Sequence, residues 1–362
     1  MIAPARVEAL RARMREERAD ALAVTHVPNV AYVTGFEGAF DAEPAHIALL
    51  TDTTAVIITD SRYVEVLTTA AQGTDWRVVL AKTTLADAFA SELRALAIER
   101  VALETSLPYS RYRSLEKAAG VTVVECEGWI EALRQVKAPE EISAIEAAQA
   151  MTDLAFDHIL GALHSGVSER EIALELEFFM RTGGSEGVAF SPIVAAGPNS
   201  ALPHATPGDR LLAKGDFVVL DFGARVGGYC ADMTRTIVIG KASERHREIY
   251  DTVRAANAAG AAAVRAGLSG RDIDGAARAV IADGGFGEYF GHGLGHGVGR
   301  EIHEQPGIGP RSESPVPLHS VITIEPGIYI PGFGGVRIED LAVVEESGAR
   351  ILTRSAKALL EL

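Results

Sequence analysis

Asp221, Asp232, Glu325 and Glu339 lie in or at the ends of strongly apolar, strand-like runs (VVLD, ADMTRTIVI, VITIE and VRIEDLAVV). An ionised carboxylate in such company is expensive to bury alone, so the fold must give these four acids partners. The runs form two hairpins. In the first, a Gly227-Gly228 turn pairs Val226 with Tyr229 and sets Asp232 opposite Gly223. Asp221 then shares a face with Asp232 as its diagonal neighbour, about 7–8 Å away between Cα atoms. In the second, a Pro331–Gly335 turn pairs Ile330 with Val336 and sets Glu325 opposite Leu341, which puts Glu339 and Arg337 on the face of Glu325. The bland reading is that one or two acids sit in water at strand ends, or pair with Arg235 and Arg337. Two hairpins with the same arrangement weigh against it. Four convergent carboxylates call for about four positive charges, which two divalent cations supply.

The segment FGHGLGHGVGREIHE adds His292, His296 and His303 among glycines 291, 293, 295, 297 and 299. A spacing of four resembles a helical zinc motif, but glycine at every second position disfavours a helix, and no Glu follows the first His. A glycine-rich strand or loop that brings its backbone close to a ligand fits better. Four carboxylates with one imidazole suit manganese, cobalt or iron, and zinc also fits. Cys126 and Cys230 are the only cysteines; they make no disulfide framework, and Cys230 reads as a small buried thiol.

A chain of 362 residues has room for two domains. Up to residue 127, helical patterns (4–19, 61–72, 84–98) alternate with strand patterns (19–25, 47–60, 121–126), which predicts a small α/β domain without a chemical cluster. Residues 128–362 open on a helix from Pro139 and a second capped by Ser168. Strand-rich segments follow, with helices at 243–266 and 269–283 between the hairpins. The formal charge of −15 argues against nucleic acid or an anionic membrane as partner. No run approaches the length of a membrane span and the N-terminus lacks an apolar export core, so the cytoplasm is expected.

Read together, SPIVAAGPNSALPHA, VLDFGARVGGYCADMTRT, GHGLGHGVGREIHE, TIEPGIYI and GVRIED closely resemble, in order and spacing, the pita-bread metallopeptidases of the Xaa-Pro aminopeptidase and prolidase branch. The resemblance covers essentially the whole chain. It implies an α/β (α+β) protein, with a creatinase/prolidase-type domain before a curved, largely antiparallel catalytic sheet flanked by helices. It implies that Asp221, Asp232, His296, Glu325 and Glu339 bind two metal ions, manganese first and cobalt or zinc as alternatives, with Asp232 and Glu339 contacting both. Glu325 would also shuttle a proton. His204, His292 and His303 would contact substrate and the developing tetrahedral intermediate, and Arg337 would orient ligand carboxylates. A homodimer acting on peptides with proline in second place is the family expectation.

The activity expected is removal of an N-terminal residue that precedes proline. An Xaa-Pro dipeptidase must also hold the free prolyl carboxylate, for which an arginine is the natural device. None occurs between His303 and Pro310, and residues 37–43 carry Glu37, Asp41 and Glu43 instead. The reading therefore leans to longer peptides. The dipeptidase is the alternative, with Arg311 or an arginine of a partner subunit as the missing cation. Methionine aminopeptidases normally lack the N-terminal domain, and creatine-hydrolysing relatives or non-catalytic binding modules would have lost ligands that are all present here.

Overall fold

The N-terminal part begins with helix α1 (Ile2–Glu16), strand β1 (Ala21–Val24), α2 (Val27–Thr34) and the pair β2 (His46–Thr51) and β3 (Ala55–Thr59). It continues with α3 (Val64–Ala70), β4 (Trp76–Leu80), α4 (Leu85–Ala95), β5 (Arg100–Glu104), α5 (Tyr109–Ala119), β6 (Thr122–Cys126) and α6 (Trp129–Gln135). The computed structural model describes residues 2–362. The six strands form one mixed sheet, in the order β4-β3-β2-β1-β5-β6. Strands β1, β2 and β3 are buried along their whole length, as their largely apolar runs require. Leu10, Met14, Leu22 and Ile57 fill the core on one face, and Leu49, Ile58, Phe89 and Leu93 that on the other.

The chain divides after Arg134, within the 127–140 stretch where a boundary is expected and seven residues past the end given to the first domain. The reason is α6, whose Trp129 and Ile130 pack into the first unit's core with Leu10 and Trp76. Elements α2, β4, β5, α5 and α6 lie outside the expected pattern.

The second unit, Gln135–Leu362, opens on α7 (Pro139–Ile159) and α8 (Glu169–Thr182). Pro139 starts the first helix, and Glu141 accepts from the Ala138 N–H (3.1 Å). Ser168 caps the second in a reciprocal box with Glu171, as expected from sequence. Next come β7 (Gly187–Val188), β8 (Ile193–Ala196), β9 (Phe217–Phe222), β10 (Ala224–Val226), β11 (Tyr229–Cys230) and β12 (Met233–Val238). Helices α9 (Glu244–Ala263) and α10 (Gly270–Asp283) precede β13 (Gly295–Gly297), β14 (Glu304–Ile308), β15 (Val321–Ile324) and β16 (Gly327–Ile330). The unit ends with β17 (Gly334–Arg337), β18 (Asp340–Glu345) and β19 (Gly348–Ile351).

Every pairing between the named strands of this unit is antiparallel, and alternation decides what each face carries. Val218, Leu220 and Phe222 of β9 pack with Phe156 of α7 and Leu176 of α8. Ile322, Ile324, Ile328, Val336 and Ile338 pack with Ile249 and Val253 of α9 and Ile273 of α10. The residues between them, Asp221, Glu325, Arg337 and Glu339, are thereby turned to the opposite faces. No helix among the described residues is long and apolar enough to cross a membrane.

Candidate metal centre

The first hairpin has the expected register. Gly227 and Gly228 take φ of 58° and 76°, as a tight primed turn requires, and Val226 faces Tyr229. Beyond a break in the ladder the same register resumes with Phe222 opposite Met233, which leaves Gly223 opposite Asp232. A Cβ on Gly223 would lie 1.8 Å from the Ala231 carbonyl oxygen, so the crossing admits only glycine.

The second hairpin departs from expectation. Its turn is three residues, Pro331–Phe333, and Ile330 pairs with Gly334 rather than Val336. Gly332 (φ 77°) and Gly334 (φ 151°) make the tighter turn possible. The partners therefore shift by two: Thr323 opposes Leu341, Gly327 opposes Arg337, and the intervening Glu325 and Glu339 stand directly opposite each other. An even shift preserves faces, so Glu325, Arg337 and Glu339 still point the same way.

His296 lies in the middle of β13, not on a helix. The backbones that its flanking glycines approach belong to neighbouring strands rather than to a ligand. A Cβ at Gly295 would fall 2.1 Å from the Thr323 carbonyl oxygen, and one at Gly297 2.3 Å from that of Gln305. His296 Nδ1 lies 3.0 Å from the Gly297 carbonyl, which can only accept, so Nδ1 carries the proton. Its Nε2 is left facing Glu325 Oε1 at 3.4 Å and Asp232 Oδ2 at 3.6 Å. A ring held by one N–H with the other nitrogen bare toward carboxylates is the form in which histidine binds metals.

Asp232, His296 and Glu339 offer donor atoms that all lie within 4.8 Å of one another. Asp221 and Glu325 border this cluster in a cavity of about 470 Å³, also lined by His204, His292, His303, Arg337, Phe190, Ile193 and Ile302. Every expected site residue thus meets in one cavity of the second unit. Burial, then the charges of Glu339, Asp221 and Glu325, push the Asp232 carboxyl well above its usual range. Burial and the charges of Glu325 and Asp221 do the same to Glu339, and Glu325 is raised mainly by burial. Arg337 offsets only part of this repulsion. Asp221 Oδ1 is buried without a hydrogen-bond partner among the described residues. These acids and one bare imidazole nitrogen fit hard or borderline divalent cations, whose charge would offset the repulsion that Arg337 leaves.

Arg337 is the hub of the surrounding hydrogen bonds. Its Nη2 lies 2.5 Å from Asp221 Oδ2, Nε donates to Thr234 Oγ1 (2.9 Å) and Nη1 to the Tyr329 hydroxyl (2.8 Å). Thr234 in turn donates to Glu339 Oε2 (2.7 Å). Burial works against the guanidinium charge, but Tyr329, Asp221, Glu325 and Glu339 outweigh it and hold its pKa high. Arg235, the other cation weighed from sequence, pairs instead with Asp340 (2.9 Å). Sequence reading missed Thr234 and Tyr329. Alternation would have found Tyr329, which lies four residues after Glu325 on the same face.

His292 shares its Nδ1 proton with the Gly293 carbonyl (2.7 Å), and its Nε2 accepts from Tyr329 (2.9 Å). Burial lowers its pKa and raises that of Tyr329 to about 12. His204 and His303 are exposed at the cavity edge, and the His303 ring centre is 4.4 Å from that of His296. Arg311 is exposed and does not line the cavity.

Residues 143–346 match the model of metallopeptidase family M24, and residues 6–136 that of the creatinase/prolidase N-terminal domain. The chain is similar to the solved Xaa-Pro dipeptidase from Bacillus anthracis, at 40% identity and a TM-score of 0.94 over 99% of this chain and 100% of that one. The X-Pro aminopeptidase structure from Thermotoga maritima MSB8 matches at 37% identity and a TM-score of 0.86, over 96% and 100% of the chains. The Xaa-Pro dipeptidase of Pyrococcus horikoshii is 35% identical over 96% of each.

Proposed function

The chain belongs to metallopeptidase family M24 and has its pita-bread fold, and from that premise we propose that it hydrolyses the bond between an N-terminal residue and a following proline, acting as an Xaa-Pro dipeptidase. The carrying observation is the convergence of Asp232, His296 and Glu339 in a cavity that also holds three further histidines and an apolar wall. The dipeptidase form reverses the lean of the sequence reading. It is supported by whole-length similarity to proteins named Xaa-Pro dipeptidase, and by His204 and His303 at the rim, whose ring N–H groups can face a substrate carboxylate.

Asp221, Asp232, His296, Glu325 and Glu339 would hold two divalent cations, manganese before cobalt or zinc. When bound, such ions polarise a carbonyl and bring the pKa of water down towards neutrality. Glu325, whose carboxyl is raised by burial, would accept the proton of the attacking water and release it again. His303 would donate to the oxygen that becomes negative, His292, whose Nδ1–H goes to Gly293 and whose Nε2 accepts from Tyr329, would face the substrate, and His204 would deliver a proton to the departing prolyl nitrogen. Arg337 would keep Asp221 and, through Thr234, Glu339 in place. An apolar wall of Phe190, Ile193 and Ile302 suits proline, which has no N–H to satisfy. The same reading has the enzyme act as a cytoplasmic homodimer on peptides, without nucleic acid or membrane.

One observation favours the second reading, an aminopeptidase for longer peptides. Among the described residues lining the cavity, Arg337 is the sole Arg or Lys, and Asp221, Tyr329 and Thr234 already occupy it. Hydrolysis of Xaa-Pro against Xaa-Pro-Yaa peptides, with manganese, cobalt or zinc added, separates the two. Faster turnover of the dipeptide is expected, and the opposite ranking makes the enzyme an aminopeptidase.

A further inference from the structure

Residues 290–294, Phe-Gly-His-Gly-Leu, carry His292 into the cavity without belonging to a helix or strand. Two glycines in five residues give this stretch many backbone conformations. Something outside it must select one. Helix α10 presents Asp274 and Arg278, one turn apart, to its backbone. Asp274 is 1% exposed, and its two oxygens accept from Arg278 Nη2 (2.9 Å) and Nε (2.7 Å). Oδ1 also accepts the Leu294 N–H at 2.9 Å. Arg278 then donates Nη1 to the Phe290 carbonyl (2.9 Å) and Nη2 to the His292 carbonyl (2.7 Å), with its guanidinium 4.2 Å from the Phe290 ring centre. One ion pair therefore grips the segment before, at and after the histidine.

We propose that Asp274 and Arg278 are positioning residues that fix the backbone of His292 so that its imidazole meets Tyr329 and the substrate side of the cavity. The proposal rests on the substrate-side role given to His292 above. A buried ion pair is a poor source of net stability, since well-packed apolar residues commonly serve as well or better. What an apolar pair cannot supply is a planar fork reaching two carbonyls and a carboxylate together. The Phe290 and Leu294 side chains are already anchored in the core beside α10, so the ion pair acts on the part that is not, the His292 peptide units. Neither residue contacts the carboxylate cluster, so metal content is expected to stand apart from the effect.

The test uses the full-length, metal-loaded enzyme with Arg278→Met, Arg278→Lys, Asp274→Asn and His292→Ala, alone and combined. Arg278→Met is expected to lower kcat by about ten- to a hundred-fold, with KM and metal content little changed, because small misplacements of a catalytic group cost that much. Arg278→Lys should recover only part of the loss, since an ammonium cannot span the three acceptors. In the His292→Ala background the Arg278 change should cost less than about twofold more, because two residues acting through one group are not additive. Amide exchange at residues 290–294 should quicken in the Arg278 and Asp274 variants. If Arg278→Met does not fold, the near-isosteric Asp274→Asn carries the same cycle. Additive losses in the double variant, or unchanged kcat in the single ones, overturn the proposal alone. Unchanged turnover in His292→Ala overturns the role of His292 first and the proposal with it.

Discussion

Glu325 and Glu339 face each other across the site, and each gives its backbone N–H to a third strand or segment rather than to the other. The Glu325 N–H donates to the Leu294 carbonyl and that of Glu339 to the Thr234 carbonyl. The ladder between the hairpin strands opens where the two carboxylates meet. Two ionised acids directly opposite one another destabilise a sheet, so the opening marks a place where a cation belongs.

Glu339→Gln and Asp232→Asn should therefore abolish peptidase activity and lower bound metal while leaving circular dichroism near wild type. His296→Ala should mainly empty one of two ion sites. Metal analysis and turnover on an Xaa-Pro peptide check this, and full activity with stoichiometric metal in any of the three would remove that residue from the site.

The raised carboxyls also predict how the metal-stripped protein responds to pH. Unfolded Asp and Glu titrate near 3.8 and 4.5, whereas Asp232, Glu325 and Glu339 hold their protons to higher pH when folded. Their contribution to stability is thus fully present below the unfolded values and is lost as pH rises through the folded ones. Ligand deprotonation favours metal binding, so added ions act in the opposite sense. Thermal melts from pH 5 to 8 should show the stripped protein falling behind the loaded one as pH rises. Glu339→Gln should flatten that trend, and a stripped protein that gains on the loaded one with pH would contradict it.

How far the site was legible follows from which residues set it. Alternation placed Asp221, Asp232, Glu325, Arg337 and Glu339 on shared faces, because the apolar residues between them have to reach the helices. It could not fix turn length: Pro331 and glycines 332, 334 and 335 allow a turn of three or of five. Glu339 consequently moved from diagonal to opposite without changing face. His296 was legible as a candidate ligand, but the glycines beside it answer to Thr323 and Gln305 of adjacent strands, which a local pattern does not contain. Tyr329 and Thr234 stayed hidden because hydroxyls in strands usually mean nothing more than strand. The first domain runs past 127 because Trp129 and Ile130 complete its core, a long-range contact that the local pattern does not contain.

Arg337→Lys keeps the charge and loses the fork. A lysine cannot reach Asp221, Thr234 and Tyr329 together, so the ligand carboxylates should loosen. Activity is expected to drop by about ten- to a hundred-fold, with weaker metal affinity, as for other groups that orient metal ligands. Titration of the stripped variant with manganese, read by calorimetry, would show the affinity change, and unaltered affinity together with unaltered turnover would assign Arg337 to folding alone.

His204→Ala, His292→Ala and His303→Ala should keep their metal and lose turnover. Removing one donor to a developing charge, the part given to His303, costs on the order of a hundred-fold or more. Burial, then the charges of His296 and His204, lower the pKa of His303 and favour its neutral form. Loss of metal from His292→Ala would mean that the ligand on this segment is not His296 alone.

Substrate length is the sharpest test of the dipeptidase reading. A dipeptide brings its prolyl carboxylate to the cavity rim, where His204 and His303 stand exposed, whereas a tripeptide carries that charge one residue outward. If the rim histidines hold the carboxylate, Xaa-Pro should exceed Xaa-Pro-Yaa in kcat/KM by about ten- to a hundred-fold, the worth of a charge-assisted hydrogen bond of roughly 1.5–3 kcal/mol. Arg311→Ala should leave that ratio unchanged, since Arg311 does not line the cavity. His303→Gln keeps a donor and should reduce the ratio less than His303→Ala. Dipeptide preference that disappears in Arg311→Ala would move the carboxylate's partner to the segment beyond β14. A better specificity constant for the tripeptide would restore the aminopeptidase expected from the arginine-free stretch between His303 and Pro310.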